Sequence, residues 1–310
     1  MHTLVGQWSF PIGLPIDALG VTQRGSRLRE IPSGTIDSDM YEYFAKKDPI
    51  PEWAVDFDWE SLGPLRFQSV GAFSETAFFH KPTKSLLVTD TVVSVTDKPP
   101  KIIQEDPRAM LFHARDSIDE VVQDTPETRA KGWRRMVQFG LVFFPSQIDV
   151  VGAGDAQSAA RRIDPRIKNL GDGAVPLSLY PWTWHGDADK KNFDAISKKG
   201  KLFCPPILTK LILDREPEAT LAWADRVASR FAFQRVVPCH LNNNVKASPK
   251  EFREAFDCLR SRPGDVRPQR PLAEDLALLQ KASDLLTTAG VVGASKVCDG
   301  EPAREEGRFA

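Results

Sequence analysis

Four cysteines, three tyrosines and five histidines in 310 residues are the scarcities that bound this sequence. Cys204, Cys239, Cys258 and Cys298 show no CxxC spacing, which argues against a disulfide scaffold or a zinc ribbon and suits free thiols in a reducing compartment. No run approaches the roughly 18 consecutive apolar residues of a membrane-spanning helix. Met1-His-Thr-Leu-Val-Gly6 also lacks the basic and apolar regions of a signal peptide, so the chain reads as soluble. Basic and acidic residues number 41 and 42, a net charge of −1, so no general field draws the chain to nucleic acid or to an anionic membrane. No Gly-x-Ser-x-Gly occurs. Gly152-Ala-Gly-Asp-Ala-Gln157 lacks the third glycine and the strand-to-helix setting of a dinucleotide fingerprint.

What the chain does contain is an alternation of helical and strand signals, which points to α/β architecture. Residues 7–65 are rich in proline and aromatics and read as irregular loops and short strands, since proline donates nothing to a ladder. A hairpin follows, with strands Thr76–His80 and Ser85–Val95 joined by Lys81-Pro-Thr-Lys84. Helices are predicted at Asp116–Val122, Pro126–Phe139 and Pro217–Phe231, and loops or short helices at Val151–Gly173 and Tyr180–His185. A strand Gln234–Val237 comes next. Ser248-Pro-Lys-Glu251 then has the pattern of a capping box opening a helix with Phe252, Ala255, Phe256 and Leu259 on its apolar face. Residues 266–310 read as a polar tail with one amphipathic segment near Leu276–Leu286 and disorder elsewhere.

Chemistry concentrates in two places. The apolar run of the hairpin is interrupted by Asp90, a carboxylate with no adjacent base, and Arg235-Val-Val-Pro-Cys-His240 ends a second short strand in a histidine. Ligands favour the carboxyl ends of strands in layered α/β folds. Asp90 is open to metal binding or to hydrogen bonding with loop amides, and His240 to metal binding or to capping the loop Asn242-Asn-Asn244. His80, beside Phe78 and Phe79, is either a ligand or a packed strand histidine. Cys239 is on the opposite strand face from its neighbour His240, which disfavours a thiolate pair. Arg129, Lys131, Arg134 and Arg135 give one helix a basic face that suits a phosphate, an acidic partner or plain solvent.

The stretches Gly6-Gln-Trp-Ser-Phe-Pro11, Phe79-His-Lys-Pro-Thr-Lys-Ser-Leu-Leu-Val-Thr-Asp90, Gly132-Trp133, Val237-Pro-Cys-His240 and Pro249-Lys-Glu-Phe252 resemble the metallo-β-lactamase superfamily. They resemble more closely an uncharacterised branch of it, the domain of unknown function 4336 family of plants, algae and cyanobacteria. The resemblance implies a metallo-β-lactamase-like αββα sandwich over residues 1–265, incomplete at its amino end and enlarged by a helical insertion between Asp90 and His240. It makes Asp90 and His240 the candidate metal ligands, with His80 and Glu75 as lesser candidates, and implies a plastid, against a cytoplasmic reading otherwise. The superfamily's His-x-His-x-Asp-His run is absent, and Gly71-Ala-Phe-Ser-Glu75 stands where a ligand histidine belongs. A catalytic zinc needs about three protein ligands and an open position. The expectation is therefore a degenerate, non-hydrolytic binding or structural member that holds no cofactor, contacts no nucleic acid and has a possible protein partner. The alternative is a hydrolase using zinc, iron or manganese whose main ligands lie in an upstream segment, the chain being an amino-terminal truncation. No catalytic residue is assigned.

Overall fold

In the computed structural model the hairpin read between Thr76 and Val95 contributes two adjacent strands of a five-stranded mixed sheet. The structure describes residues 2–4, 29–31, 52–68, 72–117, 120–143, 145–152, 182–186, 189–260 and 273–297, with positions 154, 155, 158 and 162. Its strands are β1 (His2–Leu4), β2 (Arg29–Ile31), β3 (Phe57–Arg66), β4 (Ala72–His80), β5 (Ser85–Val88), β6 (Ile148–Val150), β7 (Trp182–Trp184), β8 (Arg235–Pro238) and β9 (Val245–Lys246). Its helices are α1 (Lys101–Glu105), α2 (Arg108–Ala114), α3 (Pro126–Val142), α4 (Asp189–Ser197), α5 (Pro206–Leu211), α6 (Pro217–Arg230), α7 (Pro249–Glu254) and α8 (Ala273–Thr288). The fold class is mixed α/β, in two compact units. One comprises Met1–Ser94, Leu202–Pro268 and Gln280–Ala310; the other, Val95–Lys201 and Gln269–Leu279.

In the first unit the sheet order is β3-β4-β5-β8-β9, antiparallel except for the parallel β5–β8 pair. A parallel pair cannot be closed by a tight turn, and everything from Thr89 to Gln234 lies between these two strands. β3 runs for ten residues within the segment expected to be irregular. It tolerates Pro64 because it is the edge strand and its register shifts between Leu62 and Leu65, where the missing N–H is not needed. One face of the sheet packs Leu62, Ala77, Leu86, Val88 and Val236 against Trp223, Ala224 and Val227 of α6 and against Phe252 and Phe256. Buried Glu60 of β3 ties the same helix down by pairing with Arg226 at 2.7 Å and Arg230 at 2.9 Å. The capping box of α7 forms as the sequence implies, Ser248 Oγ accepting from the Glu251 amide while the Glu251 carboxylate accepts from the Ser248 amide.

Two departures concern the ends of elements. β5 stops at Val88 instead of running to Val95; beyond it, Val93 alone bridges Phe203, each amide donating to the other's carbonyl at 2.9 and 3.0 Å. The segment expected as a disordered tail packs as far as Val297. Val291 accepts the Gln68 amide, the Lys296 amide donates to Asp214, and Val292 and Val297 are buried.

The second unit is built on α2 and α3, which approach so closely that a Cβ on Gly132 would sit 1.8 Å from the Met110 carbonyl oxygen. The helix expected at Asp116–Val122 is instead α2, which starts just after Pro107; Asp116 serves as an ion-pair partner. Tyr180–His185, read as a loop or short helix, contains β7, whose Trp182 and Trp184 pack with Phe112, Phe139, Ile148 and Val151. The basic face of α3 is engaged by acidic partners. Arg129 pairs with Asp124, Lys131 and Arg135 with Asp116, and Arg134 with Asp189. Arg135 is buried and lies over the Trp184 ring at 4.5 Å.

Candidate functional site

The parallel register of β5 and β8 opposes Val88 to Pro238. Asp90 and His240 each stand two residues past that last pair, so the register that aligns the strands also aligns these side chains. They meet: His240 Nε2 lies 2.8 Å from Asp90 Oδ1, with both side chains about half exposed. The Cys239 amide donates to the Val88 carbonyl at 3.1 Å, carrying the strand pairing past Pro238. Leu241 then takes a positive φ of 64°, and Asn242 docks on Ser94 through its amide at 3.1 Å and its side chain at 3.3 Å. That sharp turn leaves His240 at the rim of the sheet.

Beneath Asp90 lies Glu75, near the middle of β4 and 2 % exposed. Its Oε1 accepts from the Thr89 amide at 3.0 Å and the Thr91 hydroxyl at 2.7 Å. Its Oε2 accepts from the Asp90 amide at 3.0 Å and the Thr91 amide at 2.8 Å. A carboxylate offers about four in-plane acceptor positions, and the loop takes all of them. Burial pushes the Glu75 carboxyl above its ordinary range, opposed by these same hydrogen bonds. Glu75, read from the sequence as a lesser metal candidate, clamps the loop that carries Asp90. The sequence held one hint of this, a glutamate inside the apolar run Glu75-Thr-Ala-Phe-Phe79.

His80 is not part of the arrangement. It closes β4 beside the turn to β5, at the opposite end of the hairpin from Asp90, with Nδ1 2.7 Å from Thr83 Oγ1 and its ring 4.8 Å from that of Phe57. Of the reading left open for it, the packed strand histidine is the one its surroundings fit. His113 and His185 lie in the second unit. His113 is pushed down to about 4 by burial and by Arg135, and His185 Nε2 stands 2.5 Å from Asp149 Oδ2. The Asp149–His185 pair escaped the sequence reading because it depends on the β6–β7 pairing, which has no pattern of its own.

The chemistry open to Asp90 and His240 follows from their geometry. An Nε2–H donated to the carboxylate leaves Nδ1 as the free acceptor of a neutral ring, the arrangement that orients a general base or a single metal ligand. Cys239 supplies no nucleophile to this base. Its thiol is raised by burial and by the charges of Asp90 and Glu75, the opposite of an activated thiolate. The fit to a catalytic metal is poor: Glu75 has no lone pair left, Asp90 and His240 spend one contact on each other, and no group of three or more His, Cys, Asp or Glu suited to a metal occurs among the described residues. No helix among the described residues is long and apolar enough to cross a membrane.

An α/β protein with a carboxylate–histidine pair across the ends of two parallel strands is the class these features define. The chain belongs to the family described as domain of unknown function DUF4336, whose family model matches residues 1–258. No curated protein and no solved structure matches it.

Proposed function

We propose that this chain is a metallo-β-lactamase-like protein in which the positions of metal ligands serve as internal hydrogen-bond partners, and that it acts by binding, without hydrolysis. The observation that carries this reading is the saturation of Glu75 by Thr89, Asp90 and Thr91, which turns the one buried carboxylate of the rim into a structural clamp. Asp90 and His240 then form an exposed polar rim that suits recognition of a partner or small polar ligand better than activation of water. The internal pairing of Arg129, Lys131, Arg134 and Arg135 and the near-zero net charge support the exclusion of nucleic acid. The family resemblance supports a plastid setting.

The test is elemental mass spectrometry on the purified chain beside the Asp90→Ala and His240→Ala variants. Folded protein without bound transition metal is the expected result. Near-stoichiometric zinc, iron or manganese that both variants lose would overturn the reading in favour of a hydrolase completed by ligands from outside the described residues.

A further inference from the structure

Asp275, near the start of α8 and with no exposed surface, faces a second polar cluster, far removed in chemistry from the rim of the sheet. Its Oδ1 accepts from the Ser146 amide at 2.9 Å, the Ser146 hydroxyl at 2.8 Å and Asn192 Nδ2 at 3.3 Å. Its Oδ2 accepts nothing among the described residues, and no lysine, arginine or histidine among them pairs with it. A buried carboxylate without a positive partner is among the costliest arrangements in a protein interior.

Two further oxygens share this condition. Asn192 is 2 % exposed; because its Nδ2 donates to Asp275, its Oδ1 is fixed as an acceptor, and it accepts nothing among the described residues. Gln138 has no exposed surface; its Nε2 donates to the carbonyls of Arg134 at 3.1 Å and Asp189 at 2.9 Å, so Oε1 is likewise fixed as an acceptor and likewise unmatched. Neither amide can be turned round without setting oxygen against oxygen. Asp189 and Asn192 are three residues apart on α4 and both buried, so Gln138 abuts the helix face from which Asn192 reaches Asp275.

We infer that Asp275, Asn192 and Gln138 form a binding site for a monovalent alkali cation. An all-oxygen donor set of one carboxylate and two amide carbonyls selects hard cations over zinc, iron or copper. Asp189 is already neutralised by Arg134 at 2.7 Å, which leaves the Asp275 charge alone to be balanced. Sodium or potassium cancels that charge, whereas a divalent ion would leave a buried net positive charge. The Ser146 hydroxyl, which donates to Oδ1, keeps a lone pair to serve as a fourth donor.

The experiment compares the melting temperature of the whole chain in sodium chloride, potassium chloride and choline chloride at equal ionic strength. The inference expects a Tm several degrees higher in at least one alkali salt, because an ion bound only by the folded state stabilises it by mass action. It also expects Asp275→Asn to abolish that difference and Asn192→Asp, which adds a second carboxylate, to make the protein respond to calcium. Equal Tm in all three salts would overturn it, and would assign the oxygens to ordered water. An alkali-ion effect that survives unchanged in folded Asp275→Asn would overturn it as well. If Asp275→Asn does not fold, the three-salt comparison and the calcium response of Asn192→Asp decide.

Discussion

The carboxylate of Glu75 holds the backbone amide of Asp90 at 3.0 Å, so one buried acid fixes the loop on which another, exposed acid is displayed. One carboxylate is buried and supports the loop while the other is exposed on it, and their variants should behave differently.

Glu75→Ala removes the acceptor for three loop amides and one hydroxyl in a buried place. An unmatched buried donor costs about 1–3 kcal/mol, and water can reach only part of the vacated site. The expected loss is roughly 3–5 kcal/mol, read as a lowered denaturant midpoint, with the urea m-value unchanged. Glu75→Gln should recover little, because its amide nitrogen would face donors.

Asp90→Asn and His240→Ala should each change stability by less than about 1 kcal/mol, since the pair they break is solvent-exposed. Losses as large as that of Glu75→Ala would contradict the division of roles.

Gly132→Ala should be among the most damaging single-methyl changes in the chain. The added carbon would stand 1.8 Å from the Met110 carbonyl oxygen, a backbone atom that moves only if α2 and α3 separate. A loss of about 3 kcal/mol or more, or failure to accumulate as soluble protein, is expected. Gly140→Ala, on the same helix with open space around it, is the matched control and should be neutral to slightly stabilising.

Acid should weaken the protein through His113. Its folded-state pKa is pushed down to about 4 from 6.5, first by burial and then by the neighbouring charge of Arg135. The unfolded chain therefore binds the proton more readily. The stabilisation is complete above pH 6.5 and is lost as pH falls from there through about 4, by on the order of 2–3 kcal/mol. His113→Phe keeps the ring beside Trp182 and Phe139 and should remove this part of the pH dependence of Tm.

How much of this was legible depended on whether the signal was local. The α7 capping box and the apolar face Phe252, Phe256 and Leu259 are written within a dozen residues, and they formed as read. Asp90 and His240 were legible one at a time, as polar residues closing β-branched runs, and the parallel register brought them together. The hydrogen-bonding role of Glu75 was not legible because its partners lie across the hairpin, where no sequence pattern records them. The basic face of α3 was open to several readings for the same reason. Asp116 and Asp189, which neutralise it, come from other elements. The Trp182–Trp184 strand was missed because three residues are too few for an alternation to show. The place of Val297 in the core rests on the Lys296 amide reaching Asp214, a contact between distant parts of the chain.

The reciprocal pairing of Val93 with Phe203 closes the long excursion from Val95 to Lys201 at its base, just after Asp90. Whatever lies between those two residues can lengthen, shorten or exchange its contents without shifting the register of β5 and β8. A longer or shorter excursion would thus leave the aspartate and histidine at the sheet rim in step.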